Sequence, residues 1–424
     1  MHIGVAPGRG WPFPRFGLAA VFFLGLLGSI SGKARADWPQ FLGPTRDGVA
    51  SSTNEIPAWT GDGPRIRWKV AVGQGFAGPA VVGDTVLLFH RRNDEERLES
   101  FDRGSGKSRW TNAAPTHYRD DFGFDEGPRA VPAVSGGNAF CLGAEGRLRC
   151  VELDSGKTRW EHSLEAEMKA DKGFFGFAAS PLVVGDRVIV DVGGNAGRGI
   201  VAFDTASGEL RWSATDHEAG YASPVLLTNG GRPLVLCFDR AGLVALEPAT
   251  GAIRFEVPWR SRSHASVNAA NPVLFDDKIF LTASYGTGAK LMRLASGPPE
   301  EIWSNDTSLS SHYVTPIFFD GCFYGFHGRQ ETGAEFRCVE AATGKVLWSE
   351  GSVAMGQIVR QGDQLVVLTQ QGELLLIRAD PKRCDIRARA QIVGSGTRAA
   401  PALDQGCLFA RDTRQLICVE LREK

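Results

Sequence analysis

The strongest constraint on this chain is a short pattern that returns along its length. Its clearest copy is Ile200-Val-Ala-Phe-Asp204-Thr-Ala-Ser-Gly208-Glu-Leu-Arg-Trp212. An apolar strand runs into an acidic residue, a turn with Gly, a few mixed residues and a Trp. Residues 98–110, 148–160 and 336–348 repeat it, ending in Trp110, Trp160 and Trp348. Residues 243–255 and 291–303 are weaker copies that end in Phe255 and Trp303. One supersecondary unit repeated at roughly 40 to 50 residues describes an array of modules that bury one another's faces.

Around each copy the chain reads as four short strands separated by turn signals, a sheet meander. The first unit runs from about Pro79 to Trp110, and later units begin near Val131, Ser180, Ser223, Asn271, Thr315 and Gln357. The seventh lacks the Gly and the Trp in its last strand. The eighth starts at Pro401 and supplies three strands. Its missing fourth strand is expected from Ile66-Arg-Trp68-Lys-Val70, which carries the Trp of the repeat with no unit before it. The expected fold is therefore all-β: an eight-bladed β-propeller of four-stranded antiparallel blades, the last blade closed by the N-terminal strand. Radial packing covers faces that a lone sheet would leave open. Seven blades is the alternative if the seventh unit is distorted. No long helical stripe competes; residues 163–172 suit one or two helical turns at most.

The recurring residues read as packing devices. A Trp on an outer strand can lie against the next blade with its N–H on a carbonyl. The preceding Gly suits a turn position of positive φ. Trp68, Trp110, Trp160, Trp212, Trp303 and Trp348 are assigned to blade packing on this ground.

The form A-x-D-x-x-T-G-x-x-x-W resembles the PQQ-like β-propeller repeat family. The resemblance covers Ile66 to the end of the sequence. The opening Trp38-Pro-Gln-Phe-Leu-Gly-Pro-Thr-Arg-Asp-Gly48 looks like the start of exported propellers of this type. The family includes eight-bladed quinoprotein dehydrogenases and the propeller of the outer-membrane assembly machinery. For a dehydrogenase the resemblance implies PQQ with calcium, calcium ligands and a catalytic Asp in the central funnel, and adjacent cysteines over the cofactor. The chain has no Cys-Cys pair, and no residue is matched to the ligands or the Asp. For the assembly propeller it implies protein binding.

Export is read from the start of the chain. Arg9 and Arg15 flank the beginning of an apolar run over 16–30, and Ala34-Arg35-Ala36 is a small-x-small cleavage site. These predict a secretory signal over 1–36, an irregular extension over 37–65 packed by Trp38, Phe41 and Trp59, and the propeller over 66–424. The product is expected in the periplasm or outside the cell. No second long apolar run predicts an integral membrane segment after cleavage. Cleavage removes Arg9, Arg15, Lys33 and Arg35 and no acid, so the formal charge moves from −1 to −5. An acidic chain with dispersed charge is a poor partner for nucleic acid.

All eight cysteines follow the signal. Counting outward from the turns places Cys141 opposite Cys150 and Cys407 opposite Cys418, and Cys322 and Cys338 flank a longer loop; three cross-strand disulfides are expected in an oxidising compartment. Cys237 and Cys384 have no evident partner. No Cys/His spacing suits zinc or c-type haem.

Connections between successive blades converge on one face, and loops on a rigid ring commonly carry function. They bring Arg129, Tyr221, Asn268, Asn271, His312 and Arg398 to a central funnel, with Phe76, Phe175, Phe177, His217, His264, Tyr313 and Gln357 beside them. Such donors suit a carboxylate, a sugar or a peptide loop. Asp120, Asp121, Asp125 and Glu126 share one loop, but Phe122 and Phe124 interrupt them and the spacing matches no calcium loop; a solvated loop is expected. No nucleophile elbow, zinc-protease motif or phosphate loop occurs. No catalytic residue, metal or cofactor is assigned. The expected function is an exported, non-catalytic propeller that binds a protein or small ligand through its loop face. The alternative is a PQQ-dependent dehydrogenase of alcohols or sugars; a polysaccharide-binding propeller is a third possibility.

Overall fold

Every blade is a meander that starts at the axis and ends at the rim. Eight four-stranded sheets result, over residues 80–115, 133–163, 182–214, 225–258, 273–305, 317–350, 356–391 and 402–420. The eighth is completed by Arg65–Ala71, which pairs antiparallel with Gln415–Glu420 and sets Trp68 opposite Cys418. The computed structural model describes residues 1–4, 8, 37–61, 63–228, 232–263 and 267–422. Most of the expected signal segment, and His264, lie outside the described residues.

Seven innermost strands have three residues each, such as Ala80–Val82 and Ala133–Ser135. The second strands are buried through their middles, and Asn138–Leu142 along its whole length. Both of their faces meet neighbouring blades, so the sequence there runs apolar without alternation. Outer strands such as Thr158–Ser163 alternate exposed and half-buried residues, because one face and one edge look outward. The cores lie between blades. Phe140, Leu148 and Cys150 of the second blade pack against Val188, Val190, Val201 and Phe203 of the third.

Each rim Trp crosses to the next blade. Trp110 Nε1 donates to Leu153 O (2.9 Å), Trp160 to Thr205 O (3.1 Å), Trp212 to Pro248 O (2.9 Å) and Trp303 to Ala341 O (2.9 Å). Trp348 reaches Asp380 O (2.8 Å), and Trp68 closes the circle on Arg103 O (2.8 Å). In five of these six contacts a turn Gly of the receiving blade lies against the indole; the turn of the seventh blade, which Trp348 meets, has no Gly. A Cβ on Gly156 would sit 2.6 Å from Trp110, and Gly156 has φ +72. Ala388 occupies the Trp register of the seventh blade, opposite Leu376. The eighth blade takes its outer strand from the other end of the chain, so it has no third-to-fourth-strand turn for a Trp to cover.

A second device runs part of the way round the axis, from the second blade to the sixth. Val131 N donates to Ser180 Oγ (2.8 Å), Ser180 N to Ser223 Oγ (2.9 Å), Ser223 N to Asn271 Oδ1 (2.8 Å) and Asn271 N to Thr315 Oγ1 (3.0 Å). Each acceptor precedes a Pro that opens an innermost strand. The proline removes a backbone donor where the strand begins, and the side chain before it ties one blade to the last.

The sole helix among the described residues is Leu164–Met168. No described helix is long and apolar enough to cross a membrane.

All eight cysteines are free thiols, and the counted registers need correcting. Cys141 faces Arg149, and Cys150 faces Phe140. A one-residue offset puts Cys141 and Cys150 on opposite faces, in different inter-blade cores. The turn is wider than the count assumed: Gly143 N bonds Arg147 O. Cys322 and Cys407 lie opposite Glu340 and Glu420, two positions from Cys338 and Cys418. These are diagonal neighbours on one face, with thiols in hydrogen-bond contact. Cys407 is the more acidic of its pair, lowered to about 7 by the hydrogen bond from Cys418 and by nearby Arg67. We propose that these two pairs bridge under oxidising conditions and that Cys141 and Cys150 do not.

Candidate functional site

The N-terminal extension is part of the ring's interior. Trp38 makes an antiparallel bridge to Val81 of the first blade, and Pro39 O accepts from Val134 N of the second. Val49 makes a parallel bridge to Arg360 of the seventh. Between them the chain coils tightly, with positive φ at Leu42, Gly43, Arg46 and Gly48. A Cβ on Gly48 would meet Ile317 of the sixth blade at 2.7 Å. Arg46 is 2% exposed. It donates to Gln40 Oε1 (2.9 Å), Ser180 O (3.1 Å), Pro224 O (2.8 Å) and Pro181 O. Desolvation lowers its pKa to about 9, so it remains a cation at neutral pH. The segment thus crosses the axis and pins the innermost strands of six blades.

Above this plug, with Phe41 in its lining, is a cup of about 370 Å³. Residues from around the whole ring line it, including Phe76, Arg129, Phe175, Tyr221, Tyr313 and Arg398. Phe122 and Phe124 hang at the rim, 54% and 46% exposed. They stack on each other (6.3 Å), and Phe122 lies 5.1 Å from Phe175 on the next loop. Lys172 bridges the same two loops through Asp121 (2.7 Å).

Three guanidinium groups enter the cup in different electrostatic states. Arg129 is spent on its own loop: it pairs with Asp120 (3.2 Å), donates to Asp125 O (3.1 Å) and lies over Phe76 and Phe175. Arg329 pairs with Glu331 (3.2 Å) and lies 4.4 Å from the Tyr285 ring centroid. Arg398 lies over Phe124 (4.7 Å) and Phe76 (5.3 Å). It has no carboxylate or carbonyl partner among the described residues.

His312 is 8% exposed. Its Nδ1 meets Gln330 Oε1 (3.0 Å), an acceptor only, so Nδ1 donates. Its Nε2 then accepts from the Tyr285 hydroxyl (3.1 Å). Burial lowers its pKa, with Arg329 and Arg398 adding to the effect, so the ring is neutral near pH 7. Tyr221 acts as a post: its hydroxyl accepts from Phe174 N (2.8 Å) and Phe175 N (3.2 Å) and holds the aromatic loop over the cup.

Arg129, Tyr221, His312 and Arg398 therefore meet in the cup as the sequence suggests. Asn268 and Asn271 do not. Asn268 Nδ2 donates to Asp239 O (2.7 Å) while its own carbonyl receives Tyr221 N and Ala222 N. Asn271 belongs to the axial relay. Both are buried backbone ties, and asparagine before a strand serves that role as readily as ligand binding. The acidic loop also differs from the expectation of a solvated one. Asp120 is buried against Arg129, Asp125 Oδ1 caps Gly127 N (2.7 Å), and Glu126 meets Arg91 and Arg119. Phe41, Phe122, Phe124, Phe174, Tyr285 and Arg329 are among the lining residues that sequence reasoning did not assign.

The sequence profile described as outer membrane protein assembly factor BamB matches residues 94–350, well over half of the chain. The chain belongs to this BamB family of propeller repeats. No curated protein matches it. Among solved structures, BamB from Moraxella catarrhalis is 18% identical, with a TM-score of 0.63 over 85% of this chain and 98% of that one. Quinohemoprotein alcohol dehydrogenase from Comamonas testosteroni is 15% identical, with a TM-score of 0.68 over 92% of this chain and 81% of that one. A computationally designed protein, Ika8, is 11% identical at a TM-score of 0.53. At these identities the likeness is one of fold.

The cup of this BamB-family propeller does not suit a calcium-held quinone. Calcium takes six to eight oxygen ligands, with carboxylates prominent. Glu331 is the one carboxylate in the lining, and Arg329 holds it. The lining also contains no Trp to stack on a planar ring.

Proposed function

We propose that this chain is an exported, non-catalytic propeller that binds a protein or small ligand in the cup on its loop face. The observation that carries this reading is the convergence of connections from around the ring on one blind, aromatic-walled cup. Its acid–base groups are committed: both His312 nitrogens are engaged and Glu331 is held by Arg329. Concave, largely apolar pockets with a few placed polar groups are the usual form of a ligand site. The family match to an assembly factor supports a protein-facing role.

Two measurements test it. Incubating the purified chain with PQQ, calcium and a range of alcohols is expected to leave the melting temperature unchanged and to reduce no electron-accepting dye, since a ligand of the folded form would raise it. Dye reduction would overturn the reading. A photo-reactive residue at Phe122 is expected to form discrete adducts in the native host, whereas one at exposed Ile253 is not. Equal labelling at both positions would remove the cup's special status.

A further inference from the structure

Resting on that reading of the cup, we propose that its occupant is a flat aromatic molecule carrying a single carboxylate, and that Arg398 is the residue that recognises the carboxylate.

The argument is one of charge and shape. Arg129 and Arg329 each have a carboxylate within ion-pair distance, Asp120 and Glu331. Those pairs cancel, and Arg398 remains as the uncompensated charge. Its guanidinium lies over the rings of Phe76 and Phe124. A guanidinium stacked on rings spends its faces and leaves its N–H edge available for a bidentate carboxylate. Among the described residues beside it, His312 and Tyr313 are already engaged. His312 is neutral with both nitrogens bonded, and Tyr313 Oη is taken by Gln370 Nε2.

The remaining walls are rings: Phe41 in the cup lining, Phe175 and Tyr221 on one side, Phe122 at the rim. They offer faces and edges to an aromatic body. A purely apolar occupant would desolvate Arg398 without pairing it, which is costly. A tricarboxylate would bring two charges that the cup does not match. One ring system with one carboxylate satisfies both counts, and a cup of about 370 Å³ accommodates one or two fused rings.

The probes are 2-naphthoate and its neutral amide, 2-naphthamide, titrated by calorimetry against the full chain after export. Wild type is expected to bind the carboxylate at least about tenfold more tightly than the amide, as a charge-assisted hydrogen bond to Arg requires. R398Q is expected to bind both probes equally, at the weaker affinity, and R398K to regain part of the preference. Unchanged melting temperatures for both variants exclude misfolding. Equal binding of acid and amide by wild type would overturn the anion assignment while leaving the cup a binding site. A preference that survives R398Q would move recognition away from Arg398. Absence of binding by either probe at millimolar concentration overturns the ligand class, and the Phe122 cross-linking result then decides separately whether the cup binds anything.

Discussion

Arg46 shows how much a single side chain can hold. Four oxygens from the plug and two blades converge on one buried guanidinium. Replacing it with Met fills similar volume but orphans several buried carbonyls. Each buried unpaired polar group costs about 1–3 kcal/mol, so Arg46→Met is expected to destabilise by about 3 kcal/mol or more in urea unfolding. A loss below about 0.5 kcal/mol, the range of neutral surface changes, would show that the plug is not an integral part of the fold. His312 allows a test by pH. Its folded pKa lies below the usual 6.5 because burial penalises the charged ring. Between the folded value and 6.5 the unfolded chain binds the extra proton, so stability is gained as pH rises through that window and lost as pH falls. Glu331 opposes this shift, and Arg329 and Arg398 reinforce it. His312→Gln is therefore expected to lose less stability than wild type on going from about pH 7.5 to about pH 5.5. An identical or larger loss in the variant would contradict the burial argument. At this scale the sequence was a partial guide. Arg398 and His312 could be placed in the funnel because connections must converge there. Asn271 was misassigned because its role depends on the amide of Ser223, a residue that approaches only when the ring has closed.

At the scale of the element, five of the rim contacts between successive blades join a Trp, a carbonyl and a turn Gly. Gly156 has positive φ and lies against Trp110, so Gly156→Ala adds both backbone strain and a clash. Such a change is expected to cost about 2–3 kcal/mol. Gly297, in the turn of the fifth blade, has open space at its Cβ position and no positive φ. Gly297→Ala is expected to be neutral within about 0.5 kcal/mol. Comparable melting temperatures for the two variants would refute the packing account of the repeat. This part of the architecture was legible because its causes are local: a turn, a strand end and an indole recur at fixed spacing. The hairpin registers were less so. Turn widths at Gly143–Arg147 and around Asp412 shift the pairing by one or two residues, and a shift of one sends a cysteine to the other face. The paired prolines and their preceding Ser, Asn or Thr were in plain view along the chain, yet their meaning as an axial belt needs the ring.

The whole molecule is a closed ring with a plugged axis. Closure by Arg65–Ala71 on Gln415–Glu420 and the plug over 38–50 tie residues far apart in sequence into one core. A plugged propeller presents a blind cup on one side, and its lining comes from loops far apart in sequence. Phe175 could be placed near the funnel from its loop, but Phe122, Phe124 and Phe174 could not: these rings are unremarkable in their own loops and form a wall only where two loops meet. The central claim is that this cup is where the molecule binds. It is tested most directly by hydrogen–deuterium exchange of the full chain with and without saturating 2-naphthoate. Protection is predicted in peptides covering 116–130, 171–180 and 395–401, with no change in the outer strands. Protection confined to the outer strands, or none at saturation, would contradict the account.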